Sequence, residues 1–176
     1  ALLAARLDVP LYAAGFPGSH DLEAARSGAD LLDRELQVVE LDHAALERAV
    51  PELARATGRT NAMDIQIALG LFLVAERVAS DGFDRLALGQ GADELFGGYA
   101  KVASAPGDPR VEADTVRGAR REVVEGLPDQ LERDKLALRA ARVEPVTPLL
   151  HNRVVRAALA LPGGALATDG TRHRAP

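Results

Sequence analysis

Apolar and polar positions follow two different periods along the first half of the chain. The apolar run over residues 9–16, bounded by proline and glycine, predicts a buried strand, and residues 35–41 and 85–88 are predicted to form two further strands. Between them, apolar residues recur at helical spacing from Ser19 to about Leu32, from Asp42 to Gly58 and across residues 63–79. Strands that alternate with helices in this way predict an α/β fold with a parallel sheet.

Individual residues set the expected ends of these helices. Ser19 and Asp42 are good N-cap residues, and Gly58 is expected to end the second helix. Pro51 lies inside that helix and is expected to kink or restart it. Residues 63–79 are apolar nearly all round, which predicts a helix that is buried on both sides.

The second half of the chain is expected to be helical. Pro109 and Pro128 are expected to start helices, because the first helical position needs no N–H partner. The predicted helices cover residues 109–125, 128–142 and 149–161. One domain is therefore expected over residues 1–162. Residues 163–176 have few apolar side chains and are expected to form a flexible tail.

Composition excludes several classes of function. The chain of 176 residues suits one domain, and its net charge of −5 argues against general nucleic-acid binding. It has no cysteine, which excludes disulfides and thiol catalysis and fits a cytoplasmic location. The longest apolar run is far shorter than the roughly 20 residues of a membrane span. The four histidines stand far apart, without metal-binding spacing. Neither nucleic acid nor membrane is expected as a partner.

The candidate chemistry lies in residues 85–99, RLALGQGADELFGGY. A strand ends at Gly89, a glycine turn follows, and the acidic pair Asp93 and Glu94 opens a helical turn. Loops at the carboxyl ends of parallel strands bind ligands, and amides at a helix start attract anions. Glu94 replaces the third glycine of a dinucleotide fingerprint, and Tyr99 replaces the lysine of a phosphate loop, so both motifs are excluded. From these residues alone, a purely structural glycine turn is an equal alternative.

The segment GQGADELFGGY resembles the Ser-Gly-Glu-Gly-Ser/Ala-Asp-Glu-Leu/Val-Phe-Gly-Gly-Tyr signature of the asparagine synthetase family. Residues 15–25, GFPGSHDLEAA, and residues 131–150, LERDKLALRAARVEPVTPLL, are similar to further segments of that family's synthetase domain. The resemblance extends to about Leu161. It implies a fold of the adenine-nucleotide alpha-hydrolase-like type, with a parallel sheet and a helical C-terminal part.

The resemblance also implies an activity. Such a ligase uses ATP to adenylate the side chain of aspartate, releases pyrophosphate, and lets ammonia displace AMP to give asparagine. The implied cofactors are ATP and Mg²⁺, and the ammonia is free or derived from glutamine. A glutaminase domain and a homodimer are further partners that the resemblance suggests. The site residues that the resemblance implies are Gly89, Gln90 and Gly91 for the nucleotide, Asp93 and Glu94 for the metal, and Lys135 as a catalytic cation.

Several of these positions depart from the family pattern. Leu88 replaces a serine and Gln90 replaces a glutamate, and a neutral amide does not hold a metal charge as a carboxylate does. Val146 stands where the family has arginine. Leu136 stands where the family often has lysine or arginine. Lys135 and Arg139 are the two alternatives for that cation, and Lys135 is offset by one residue, or about 100° around a helix. Glu94 is as readily a structural helix-start residue as a ligand.

Two alternatives therefore stay open. One is a divergent ligase that adenylates another carboxylate, and the other is a nucleotide-binding or structural domain without catalysis. The family's Ser-Gly-Gly-x-Asp-Ser loop is expected upstream of residue 1. Without that loop, residues 1–176 alone are expected to turn over ATP poorly.

Overall fold

A computed structural model describes residues 6–98 and 113–161, with side chains in the second range from residue 121 onward except residue 122. Strands and helices alternate through the first half, which confirms the predicted α/β class. The elements in chain order are β1 (Leu11–Gly15), α1 (His20–Leu31), β2 (Leu36–Glu40), α2 (His43–Thr57), α3 (Ala62–Ser80), β3 (Arg85–Ala87), α4 (Ala92–Phe96), α5 (Ala113–Ala140), β4 (Glu144–Val146), a 3₁₀ helix (Pro148–Leu150) and α6 (Asn152–Leu159).

The chain forms two compact units. The first comprises Ala1–Leu86 and Arg133–Pro145, and the second comprises Ala87–Glu132 and Val146–Pro176. The division falls within β3, α5 and β4. The predicted tail at residues 163–176 and the predicted helix start at Pro109 lie outside the described residues.

A parallel pair of strands, two helices and the end of α5 build the core of the first unit. β1 pairs with β2 in parallel, from Leu11 opposite Leu36 to Gly15 opposite Glu40. α2 and α3 pack against each other, and α3 also packs on β1. The buried core residues are small or aliphatic apart from one phenylalanine: Ala49, Leu53, Ala68, Leu69, Phe72, Leu73 and Ala137. With so few aromatic residues in the chain, alanine and leucine fill most of this core.

α3 is buried along only part of its length. Phe72 and Val78 are fully buried, as the apolar pattern predicts. Met63, near the start of the helix, is 66% exposed, and Ile67 one turn later is also exposed. The expectation of burial on both sides therefore holds best from Ala68 to Ala75. It is wrong for the first turns and again at Arg77, whose side chain is 40% exposed.

Helix ends follow the predicted caps, with one exception. The Asp42 carboxylate accepts a 2.7 Å hydrogen bond from the Ala45 amide, and Gly58 ends α2 with φ at 65°. Ser19 occupies the N-cap position of α1, but its side chain makes no capping bond. Its buried Oγ has no hydrogen-bond partner and packs over Gly15, where an added Cβ would lie 2.7 Å from that oxygen.

Two prolines lie inside continuous helices. Pro51 is within α2 and Pro128 is within α5, so the predicted restart at Pro51 and the predicted new helix at Pro128 are wrong. A proline in a helix removes one backbone hydrogen bond and crowds the preceding turn. Leu53 and Leu127 are buried beside these prolines. Tertiary packing of this kind supplies most helical stability, and it offsets the local cost.

A second two-stranded sheet is formed by β3 and β4. In the first unit, the Glu144 amide donates to the Asp84 carbonyl at 2.8 Å, and in the second, the Leu88 amide donates to the Val146 carbonyl at 2.9 Å. β4 was not expected, because its sequence Glu-Pro-Val has neither a long apolar run nor a clear alternation.

Charged side chains on α5 and α3 form a buried cluster in the first unit. Arg133 Nε and Nη2 donate to Asp134 Oδ1 at 2.8 and 2.7 Å, and Nη1 donates to Asp64 Oδ1 at 3.3 Å. The Arg133 and Asp134 side chains are only 7% and 3% exposed. Hydrogen bonds from Asn61 and Arg133 hold the pKa of Asp64 below its ordinary value of 3.8.

Tyr12 links β1 to the end of α3. Its hydroxyl donates to Asp81 Oδ2 at 2.9 Å, and Arg77 Nε donates to the same carboxylate. Burial and the Asp81 hydrogen bond raise the pKa of Tyr12 to about 12. No helix within residues 6–98 and 113–161 is long and apolar enough to span a membrane.

Candidate active site

The signature segment folds as a glycine turn, one helical turn and a second glycine turn in the second unit. The Ala92 amide donates to the Gly89 carbonyl at 3.3 Å and closes the first turn. The amides of Gly97 and Gly98 both donate to the Asp93 carbonyl at 3.0 Å and close the second turn. The predicted strand, glycine turn and helical turn are thus confirmed.

The glycines of this segment differ in backbone conformation and in the space around them. Gly91 and Gly97 have φ of 92° and 78°, a left-handed conformation that side chains disfavour. Gly89 has no such φ, is exposed, and leaves open space where a Cβ would be. The open side of Gly89 fits a backbone position that faces a ligand.

Leu150 supports the first turn from the C-terminal part of the chain. A Cβ on Gly91 would lie 2.9 Å from Leu150 Cγ and closer still to one of its methyl groups. α4 also packs against α6, and α6 against the 3₁₀ helix that ends at Leu150. Sequence reasoning missed this contact, because nothing in the spacing of Leu150 relates it to Gly91.

The two acidic residues of α4 have different environments. Glu94 is 5% exposed and lies beside the fully buried Leu95. Asp93 is half-buried, and its carboxylate lies against the Cα of Gly98. Asp93 is therefore the more accessible carboxylate, and the burial of Glu94 favours a structural role for it.

The donor set fits a magnesium ion that arrives with phosphate groups. Mg²⁺ is usually held by one or two carboxylates together with substrate phosphates and water. Asp93 offers such a carboxylate. In the part of the chain that the structure describes, no three His, Asp or Glu side chains group to hold an ion by themselves. The first amide of α4, at Ala92, is used inside the turn, which limits the amides that α4 offers to an anion.

The remaining predicted positions are placed as follows. Gln90 is half-buried in the first turn. Lys135 lies half-buried on α5, in the part of that helix that belongs to the first unit, whereas residues 89–98 belong to the second. Arg139, its alternative as a cation, pairs with Glu144 at 2.9 Å on the surface. Tyr99 lies outside the described residues.

His20 and His43 are the first residues of α1 and α2, and both are exposed. They offer no second cluster for chemistry.

Comparison with known proteins agrees with the signature. The family model described as asparagine synthase matches residues 1–126. The chain belongs to the asparagine synthase family. It is 32% identical over 155 residues to a Methanocaldococcus jannaschii protein assigned by inference as glutamine-hydrolysing asparagine synthetase 1. It is 28% identical over 109 residues to the nodule asparagine synthetase of Pisum sativum, and 26% identical over 106 residues to asparagine synthetase B of Escherichia coli, both named as glutamine-hydrolysing.

The matches cover much of this chain but little of the relatives. The aligned part is 88% of this chain and 28% of the M. jannaschii protein. For the E. coli protein the shares are 60% and 19%. The chain thus spans less than a third of the length of these relatives.

Proposed function

We propose that this chain is part of an ATP-dependent amidoligase of the asparagine synthetase type. In the proposed reaction, a carboxylate oxygen of the aspartate side chain attacks the α-phosphorus of ATP and pyrophosphate leaves. Ammonia, free or derived from glutamine, then attacks the acyl carbon and AMP leaves with that oxygen. The observation that carries the proposal is the folded signature itself: a glycine turn after β3 that presents the accessible Asp93 carboxylate in a chain of this family.

Each residue in the turn has a proposed part in that chemistry. Gly89, with open space beside its backbone, and Gly91, fixed by its φ of 92°, shape the nucleotide site together with Gln90. Asp93 would hold the Mg²⁺ that accompanies pyrophosphate, and a bound ion would supply stabilisation of the charge that develops on the leaving group. Lys135 as a catalytic cation stays a prediction from the family resemblance.

A second candidate function changes the carboxylate substrate. Gln90 is a neutral, half-buried amide where the family has a glutamate. An amide both donates and accepts hydrogen bonds, whereas a carboxylate only accepts them, so a different group of the substrate would face this position. Under this candidate, pyrophosphate release needs a carboxylate other than aspartate.

The test is pyrophosphate release from ATP by the protein as its gene encodes it, with Mg²⁺, aspartate and ammonia. Asp93→Asn keeps the size of the side chain and removes its charge, so we expect a loss of about 10²-fold or more in rate. Asp30→Asn, on the exposed face of α1, is the matched control and should leave the rate unchanged. Release that is independent of aspartate and other carboxylates would contradict both candidates, and full activity of Asp93→Asn would remove the metal role from Asp93.

A further inference from the structure

We propose that Gly98 is a positioning residue, whose missing side chain leaves the space that the Asp93 carboxylate occupies. A Cβ added to Gly98 would lie 2.7 Å from Asp93 Cγ and closer still to Asp93 Oδ1. Real Cβ atoms essentially never approach other atoms within 3.0 Å. Any side chain at this position therefore displaces the carboxylate. The inference rests on the proposed function, in which that carboxylate binds Mg²⁺.

The backbone alone does not require glycine at this position. Gly97, the preceding residue, has φ of 78° and is glycine for conformational reasons. Gly98 has no φ in the left-handed region, so its φ does not by itself call for glycine. Glycine is therefore needed at positions 97 and 98 for different reasons, and only at position 98 is the reason the contact with Asp93.

The local hydrogen bonds hold the two residues in this arrangement. The Gly98 amide and the Gly97 amide both donate to the Asp93 carbonyl at 3.0 Å. These bonds fix the Cα of Gly98 beside residue 93, so the backbone cannot move away from the carboxylate without breaking the turn. A side chain at position 98 would instead push the Asp93 side chain into another rotamer. Residues that orient a metal ligand typically change metal affinity by about 10–100-fold when they are replaced.

The test compares Gly98→Ala with Asp93→Ala, the double variant and a control, in the protein as its gene encodes it. The control is Gly28→Ala, a glycine inside α1 without a left-handed φ, where a Cβ would meet open space. The first measurement is the Mg²⁺ concentration that gives half-maximal pyrophosphate release. The second is the position of the Asp93 carboxylate in crystal structures of the wild type and of Gly98→Ala.

We expect Gly98→Ala to raise the required Mg²⁺ concentration about tenfold or more, with a change in the KM for ATP of less than about threefold. The double variant should be no worse than Asp93→Ala, because the two atoms within 3.0 Å of the new Cβ, Asp93 Oδ1 and Cγ, are then absent and only the Cβ of residue 93, at 3.0 Å, stays close. Gly28→Ala should match the wild type. An unchanged Mg²⁺ requirement, or a double variant much worse than Asp93→Ala, would overturn the role of Gly98.

The crystal structures separate this inference from the proposed function. If the wild type releases no pyrophosphate, the proposed function fails. The steric claim is then decided by whether the carboxylate has moved in Gly98→Ala. A carboxylate that stays in place beside the added methyl group overturns the inference even if the enzyme is active. If Gly98→Ala fails to fold, the double variant should fold, since it lacks the two contacts shorter than 3.0 Å and keeps only the 3.0 Å contact with the Cβ of residue 93. Failure of both would overturn the inference, because Gly98 would then be required for the backbone.

Discussion

Replacing Arg133 with methionine should destabilise the protein far more than the same change at Arg139 on the same helix. Methionine keeps much of the apolar stem of arginine and removes only the charged head. Arg133 contacts Asp134 through two nitrogens at 2.8 and 2.7 Å, and both side chains are almost fully buried. Removing Arg133 takes these two contacts from the Asp134 carboxylate, which stays inside the protein.

The expected cost follows from burial. Breaking a buried ion pair by removing one partner costs about 3–5 kcal/mol, because the remaining charge stays out of water. Asp134 has other interactions, so we expect the lower end, about 3 kcal/mol. Arg139 and Glu144 pair at 2.9 Å, but their side chains are 47% and 56% exposed. An exposed pair of this kind contributes about 0.2–1 kcal/mol.

The assay is urea denaturation of the two variants beside the wild type. With slopes of about 1–3 kcal/mol per molar urea, Arg133→Met should lower the midpoint by about 1 M or more. Arg139→Met should lower the urea midpoint by only a few tenths of the shift expected for Arg133→Met. In the Arg133→Met background, Asp134→Asn should recover about 1 kcal/mol or more, because it removes the buried charge. Equal midpoints for the two arginine variants, or no recovery by Asp134→Asn, would refute the reasoning.

Three further perturbations test other parts of the structure. The raised Tyr12 pKa stabilises the folded protein fully below about pH 10, and this stability is lost as the pH rises towards 12. Tyr12→Phe removes the titrating hydroxyl together with its hydrogen bond to Asp81, so melting curves of this variant should lack the alkaline loss. Ser19→Ala removes an unpartnered buried hydroxyl and should raise the melting temperature, whereas a drop would indicate a real cap. Gly91→Ala should destabilise the protein, because the new Cβ meets Leu150 and the φ of residue 91 disfavours a side chain. Adding Leu150→Ala to this variant should recover only the part of the loss that the steric contact causes.

The sequence pattern located most elements of the first unit, because strong local signals and tertiary packing agree there. Asp42 and Gly58 cap α2 as their chemistry predicts. Pro51 and Pro128 were misjudged, because the local preference of proline to end helices is outweighed by burial of neighbouring residues. That burial is a property of the fold, and the spacing around each proline does not reveal it.

The candidate site was predictable in outline but not in its internal contacts. The signature placed Gly89 and Asp93 in a turn after a strand, and the structure has that turn. The contact of Leu150 with Gly91, and of the Asp93 carboxylate with Gly98, depend on side-chain directions that a motif does not specify. The missing cap bond of Ser19 has the same origin, since its hydroxyl turns toward Gly15.

The most direct test of the proposed chemistry follows one oxygen atom from substrate to product. The protein as its gene encodes it is given ATP, Mg²⁺, ammonia and aspartate labelled with ¹⁸O in its side-chain carboxylate, and the AMP formed is analysed by mass spectrometry. Adenylation of the side chain predicts AMP that carries one ¹⁸O. Formation of ADP and labelled inorganic phosphate, or AMP without label, would contradict it.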